Sequence, residues 1–244
     1  HIQVKGWGVY EENWLIEYKR IDGEKLDDED NEIWTELREF LTHKYERIDG
    51  QESMMVEAVG IDSSDGTMSE TIYKIVRKFK RSTDQFDRLN MLAVKGSSDT
   101  NLNREIFTVP KKIDHKNTGK RTTAAKYSLQ IYSVGTHQAK NVILESRINL
   151  LGSGAGRMHW PCDTPEYYFE ELLGEMKVPS KNNKKRLVWE RKSAVRNEAL
   201  DTEVYCLHAA RSLKSHIDGR HWVRWRRKYD NDEGRTEEID QGEN

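Results

Sequence analysis

Residues 56–67, Val56-Glu57-Ala58-Val59-Gly60-Ile61-Asp62-Ser63-Ser64-Asp65-Gly66-Thr67, run directly into Met68-Ser69-Glu70-Thr71-Ile72-Tyr73-Lys74-Ile75-Val76-Arg77-Lys78-Phe79, and this stretch decides the fold. The run from Val56 to Ile61 is short and almost wholly apolar, which predicts a buried strand. Asp62 ends it, and a Ser-Ser-Asp-Gly turn follows. Thr67 and Glu70 have the spacing of a T-x-x-E capping box. Behind them Met68, Ile72, Ile75/Val76 and Phe79 recur on one helical face. A buried strand, a polar turn and an amphipathic helix in that order form one step of an α/β domain.

The rest of the chain extends the pattern. Ile2, Val4, Trp7 and Val9, then Trp14, Leu15, Ile16 and Tyr18, lie on either side of a turn near Glu11-Glu12-Asn13 and predict a hairpin that ends at Ile21-Asp22-Gly23. Asn31 can cap a helix carrying Ile33/Trp34, Leu37, Phe40/Leu41 and Tyr45. Met91-Leu92-Ala93-Val94 predicts a second buried strand ending at Lys95-Gly96, and Tyr127 to Val134 alternates like a third. Helices are predicted over 138–150, 165–176 and 197–213, with a short strand at Leu187-Val188-Trp189 between the last two. On the closing helix Leu200, Val204, Leu207 and Ala210 form the buried side. The opening hairpin makes part of the sheet antiparallel, so the expected class is α/β with a mixed β-sheet flanked by helices. The simplest organisation is one domain over 1–218 and a tail over 219–244, basic at first and then acidic.

Composition narrows the function classes. The chain has 244 residues, with 40 Lys and Arg against 42 Asp and Glu, a net charge of 40 − 42 = −2. The hydrophobic share is 35%, low but periodic and including seven Trp, which is enough for a core. No stretch approaches the roughly 20 apolar residues of a membrane span. No basic start leads into an apolar run, so no secretory signal is read. Two cysteines, Cys162 and Cys206, make no disulfide framework and no zinc-ligand spacing, and fit a reducing compartment. The near-neutral total hides segregation. Asp27 to Asp30 is acidic, whereas residues 109–127 carry Lys111, Lys112, Lys116, Lys120, Arg121 and Lys126 against Asp114 alone. Residues 181–196 and 221–228 are basic again.

Two carboxylates stand out. Asp62 lies at the carboxyl end of a buried strand, where α/β sheets bind ligands; it could equally start the turn or cap the next helix. Asp201 lies beside the buried stripe of the closing helix, with Glu198 and His208 along roughly the same side; acids near a helix start are also favoured by the dipole alone. With basic segments between them, the pair suggests phosphodiester hydrolysis by divalent metal, since hard carboxylate oxygens bind Mg²⁺ or Mn²⁺. Other signals are weaker. Gly152-Ser153-Gly154-Ala155-Gly156 fails the phosphate-loop pattern and reads as a connector. Lys95-Gly96 could meet a phosphate or simply turn the chain. Trp222 and Trp225 among Arg224, Arg226 and Arg227 could stack on bases or dock a terminal helix.

Separated strings, in order along the chain, resemble the C-terminal nuclease domain of the large terminase subunit of tailed bacteriophages, of the lambda-like GpA type. Gly6-Trp7-Gly8 with Glu12-Asn13-Trp14-Leu15-Ile16 resembles the family's G-W-G…E-x-W-L-I hairpin. Ile61-Asp62-Ser63, Val94-Lys95-Gly96-Ser97, Val134-Gly135-Thr136 with Ala139-Lys140, and His159-Trp160-Pro161 follow. Arg196-Asn197-Glu198-Ala199-Leu200-Asp201 with Val204-Tyr205 is the most specific. The resemblance implies an RNase H-like fold and a metal-dependent endonuclease that cuts concatemeric viral DNA during packaging, in the cytoplasm of the bacterial host. Asp62 and Asp201 match two of the family's catalytic, metal-holding acids, with Mg²⁺ or Mn²⁺ as cofactor. Glu198, His208 and Asp65 would support them. Lys95, Lys140, Lys111, Lys112, Lys116, Lys120 and Arg121 would contact DNA phosphates. The family's first acid sits on the strand before the G-W-G hairpin, in a G-I/V-D-x-Q context, and the sequence begins inside that strand at His1, so its first strand is expected to be truncated. His137 stands where the family often has Asp, and no ligand is carried over there. The packaging ATPase is expected outside this chain, with the terminase small subunit and the portal as partners of the full-length protein. The rival readings are a non-catalytic DNA-binding or assembly module of the packaging motor, another RNase H-like enzyme such as a resolvase or transposase core, and a structural α/β domain.

Overall fold

A computed structural model describes residues 1–24, 26–81, 89–97, 102–110 and 127–213. It is a mixed α/β assembly of small sheets flanked by helices. The opening hairpin is present as β1 (Ile2–Trp7) and β2 (Asn13–Lys19), antiparallel, with a bulge between Val4 and Lys5. Its connection is a single 3-10 turn over Val9–Glu11, where Tyr10 and Glu11 take left-handed φ values of 55° and 64°. Such backbone is costly for a non-glycine residue unless its surroundings enforce it. Here Glu11 is buried and its carboxylate is gripped by Arg147 and Arg211.

Asn31 caps α1 (Glu32–Leu41) as its position predicts, its side-chain oxygen accepting the Ile33 amide at 3.0 Å. The stretch that decides the fold becomes β3 (Ala58–Asp62) and α2 (Ser69–Lys80). The expected Thr67–Glu70 capping box does not form. Asp65 takes both the amide and the hydroxyl of Thr67, and Glu70 instead accepts the Tyr127 hydroxyl at 2.6 Å. Next comes β4 (Asn90–Gly96), followed by β5 (Ile131–Val134), shorter than the alternating run suggested. β3, β4 and β5 are parallel neighbours in that order.

The predicted helix over 138–150 begins earlier, as α3 (Thr136–Lys140), and continues as a π-helical stretch, Asn141–Ser146, and a 3-10 turn, Arg147–Asn149. β6 (Met158–His159) then pairs in parallel with β2, giving the order β1-β2-β6. The helix expected over 165–176 stops early: α4 spans Glu166–Leu172, and Glu175–Pro179 is a strand, β7, paired antiparallel with β8 (Leu187–Arg191). Gly174 marks the break. A Cβ there would lie 2.4 Å from the Arg196 carbonyl oxygen and 2.9 Å from that of Glu171, so only glycine permits this close passage. α5 (Glu198–Ser212) closes the described structure.

The alternating faces of β4 serve two cores. Leu92 and Val94 pack with Val134, Ile143, Met158, Tyr168 and the α5 stripe of Leu200, Val204 and Leu207. Met91 and Ala93 pack with Ile72, Ile75, Val76 and Phe79 of α2 and Phe40 and Leu41 of α1. No strand pairing joins the β1-β2-β6 sheet to the β3-β4-β5 sheet among the described residues; α5 packs on both β1 and β3 and ties them together. The outer edges of β1 and β3 line one groove of about 990 Å³, with α5 along it. No described helix is long and apolar enough to cross a membrane. Because Leu207 is fully buried at the meeting of these elements, Leu207→Ala is expected to cost about 3 kcal/mol, read as a lower urea midpoint at unchanged m-value.

Candidate active site

Asp62 is the last residue of β3, in register with Val94 of β4. Ser63 turns the chain away: its amide and its hydroxyl both donate to the Val94 carbonyl, at 2.9 and 2.8 Å. One Asp62 oxygen accepts the Ser64 amide at 2.8 Å, so this exposed carboxylate starts the turn and also stands at the strand end. The Tyr205 phenol of α5 lies beside Asp62 and Ser64. Burial, with the Asp62 and Asp201 carboxylates beside it, pushes the Tyr205 phenol well above its usual range. Tyr205 thus stands between the two acids singled out from sequence, and all three line the groove. The end of β4 adjoins them: a Cβ on Gly96 would lie 3.9 Å from the Tyr205 hydroxyl. Lys95 is half-buried on that strand, opposite Ser133 of β5.

Asp201 occupies the first turn of α5. Its carboxylate accepts Asn197 Nδ2 at 3.1 Å and lies 3.5 Å from Lys140 Nζ. Burial raises its pKa; Lys140 opposes that shift, while Glu175 and Glu198 add to it. Lys140 is therefore inside the acid cluster, held by carboxylates, rather than displayed for phosphate. Glu198 also lines the groove and pairs with Arg196 at 3.1 Å. Asp65 is exposed and occupied by Thr67, whose hydroxyl and amide lower its pKa. His208 points the other way. It is fully buried beside Phe107 and Tyr132, at ring distances of 5.1 and 6.0 Å, and neither ring nitrogen has a hydrogen-bond partner among the described residues. Lys111, Lys112, Lys116, Lys120 and Arg121 lie outside the described residues, as do Trp222, Trp225 and the 219–244 tail.

Sequence reasoning missed Glu175, which accepts Lys140 Nζ at 2.6 Å and Asn197 Nδ2 at 2.8 Å, because its segment reads as helix. Tyr205 and Asn197 stand out in the sequence only as members of the Arg196–Tyr205 string. The four-residue step from Asn197 to Asp201 was the available signal. Among the described residues no group of three or more His, Cys, Asp or Glu side chains is gathered to hold a metal ion.

The family model of the terminase large subunit gpA endonuclease domain matches residues 1–225. The chain belongs to this family. It is also 27% identical over 219 residues to the terminase large subunit of Escherichia phage lambda, an alignment covering 86% of this chain and 30% of that protein. The chain thus spans less than a third of the length of this curated relative. No solved structure matches it. Several of the terminase-like strings meet away from the acids. The β2–β6 pairing sets Trp14 against His159, stacked at 4.9 Å, and His159 Nε2 lies 2.7 Å from Glu12. In this gpA-family domain the G-W-G hairpin and the His159-Trp160-Pro161 string are one local unit.

Burial pushes the His208 imidazole down to about 4. The unfolded chain protonates it near 6.5, so below that pH the unfolded state holds more protons and stability falls. The contribution, about 3 kcal/mol, is complete above pH 6.5 and lost by about pH 4. Urea midpoints measured from pH 7.5 to 4.5 should decline less steeply for His208→Leu than for the parent chain.

Proposed function

We propose that this domain is a divalent-metal-dependent endodeoxyribonuclease of RNase H-like architecture that cuts concatemeric phage DNA during packaging. Membership of the gpA endonuclease family supports the nuclease class. The observation that carries the site is the convergence of Asp62 and Asp201, from distant parts of the sequence, on Tyr205 in a single groove. The donor set suits the cofactor: both are hard carboxylate oxygens, and Mg²⁺ commonly takes one or two protein carboxylates and completes its shell with water. Asp62 and Asp201 would hold Mg²⁺ or Mn²⁺. When bound, the ion would activate water and offset the charge that builds on the scissile phosphate. Tyr205, beside both carboxylates, would help to orient Asp62. Lys95, at the mouth of the strands, would meet a backbone phosphate, which positions DNA without choosing sequence.

The nuclease domain would run over 1–218 and the tail over 219–244. In the full-length protein the terminase small subunit and the portal would be its partners, in the host cytoplasm. The lack of a third gathered acid among the described residues favours one rival, a non-catalytic DNA-binding or assembly module.

Nicking of supercoiled plasmid in Mn²⁺, Mg²⁺ and EDTA separates the two. We expect metal-dependent nicking that drops roughly 100-fold or more in Asp62→Asn and in Asp201→Asn at unchanged thermal stability. Persistent cutting by both variants would refute the site. DNA binding that weakens with salt, with no cutting by any form, would select the binding module.

A further inference from the structure

Lys140 and Glu175 form a buried ion pair, their side chains 12% and 5% exposed, at 2.6 Å. Glu175 Oε1 accepts a second donor, Asn197 Nδ2, while its Oε2 is buried with no partner among the described residues. Both donors also reach Asp201: Asn197 Nδ2 at 3.1 Å from Oδ2, and Lys140 Nζ at 3.5 Å from Oδ1. A buried pair of this kind rarely improves stability over apolar residues of similar volume, and a half-satisfied carboxylate is a further cost. The Asn197 side chain does not cap α5, so its two bonds serve the carboxylates and not the helix. The three groups come from separate elements, α3, β7 and the residue before α5.

We propose that Glu175 is a positioning residue for the nuclease centre: it retains the Lys140 ammonium and the Asn197 amide so that Asp201 is held in place and kept open to a cation. This rests on the metal-site reading of Asp201. The physical content is a competition. Lys140 sits nearer to Glu175 than to Asp201 because Glu175 is the buried, better-placed acceptor. Without the Glu175 charge the ammonium has one carboxylate left to neutralise, and it closes on Asp201, where it contends with the incoming metal for the same oxygens.

The competition predicts suppression, which a purely structural role does not. Direct Mn²⁺ binding to the whole chain is followed by the loss of the free Mn²⁺ electron paramagnetic resonance signal, with plasmid nicking alongside. Glu175→Gln should weaken Mn²⁺ binding roughly tenfold. The double variant Glu175→Gln/Lys140→Met, which removes the competitor, should return to within about threefold of the parent chain. If Glu175→Gln does not fold, Asn197→Ala carries the test, since it cuts the other arm of the clamp without removing a helix cap; several-fold weaker Mn²⁺ binding is expected. Unchanged Mn²⁺ binding in a folded Glu175→Gln, or in Asn197→Ala where it stands in, would overturn the proposal, and so would a double variant no better than the single. A parent chain that neither binds Mn²⁺ nor nicks DNA would overturn the metal-site reading itself, and this proposal with it.

Discussion

The Glu203 carboxylate is the interaction on which the arrangement depends. It is buried on α5, accepts Lys5 Nζ at 2.7 Å through both oxygens, and also accepts Gln3 Nε2 and the Tyr168 hydroxyl at 2.7 Å. One side chain therefore fastens the opening hairpin, α4 and α5. No described strand pairing links the two three-stranded sheets, so α5 is their shared support and its roll about its own axis must be fixed. At the far end of the helix Arg211 reaches the buried Glu11 at 2.8 Å. Fixed at two points, α5 presents Leu207 to the core and Asp201 and Tyr205 to the groove. Removing one partner from so buried an ion pair costs about 3–5 kcal/mol, and here the cost would fall on the geometry of the site as well as on stability.

That geometry gives the two candidate acids unlike surroundings. Asp62 is exposed and anchored by a backbone amide at a strand end. Asp201 is more enclosed, flanked by Glu175 and Glu198, and relieved by Lys140. Tyr205 lies close enough to both that their charges raise its pKa. One candidate acid is thus fixed by backbone and the other tuned by neighbouring charge.

Much of this was legible from residues alone, and the exceptions are instructive. The hairpin, the α1 cap at Asn31, β3, β4, α2 and α5 follow from alternation, apolar runs and three- and four-residue spacing, all of them local. Glu175 escaped because Pro165 to Met176 carries acids and aromatics at helical spacing. The helix actually ends where Gly174 must pass two carbonyl oxygens, a contact with Arg196 that no local pattern contains. His208 has the right helical position to join the acids, yet Phe107 and Tyr132 enclose it, and those neighbours come from elsewhere in the sequence. The Thr67–Glu70 spacing was right for a capping box, but Asp65 competed for the same hydroxyl and amide. Long-range partners decided the first two cases, and a neighbour two residues away decided the third.

The Glu203 anchor also sets a timetable. Lys5 and Glu203 are separated by 198 positions, so the hairpin cannot find its buried partner until almost the whole domain has been synthesised. At about 5–20 residues per second, that is a wait of roughly 10–40 s during which the bulged, Trp-rich hairpin has no α5 to rest on. Closing so long a loop is entropically costly, and its reward arrives only when the last helix docks. β1 and α5 thus meet across most of the described chain, and docking of α5 brings Asp201 and Tyr205 to the groove that Asp62 lines. A nascent or clipped chain lacking α5 would lack Asp201, Tyr205 and the support that the two sheets share.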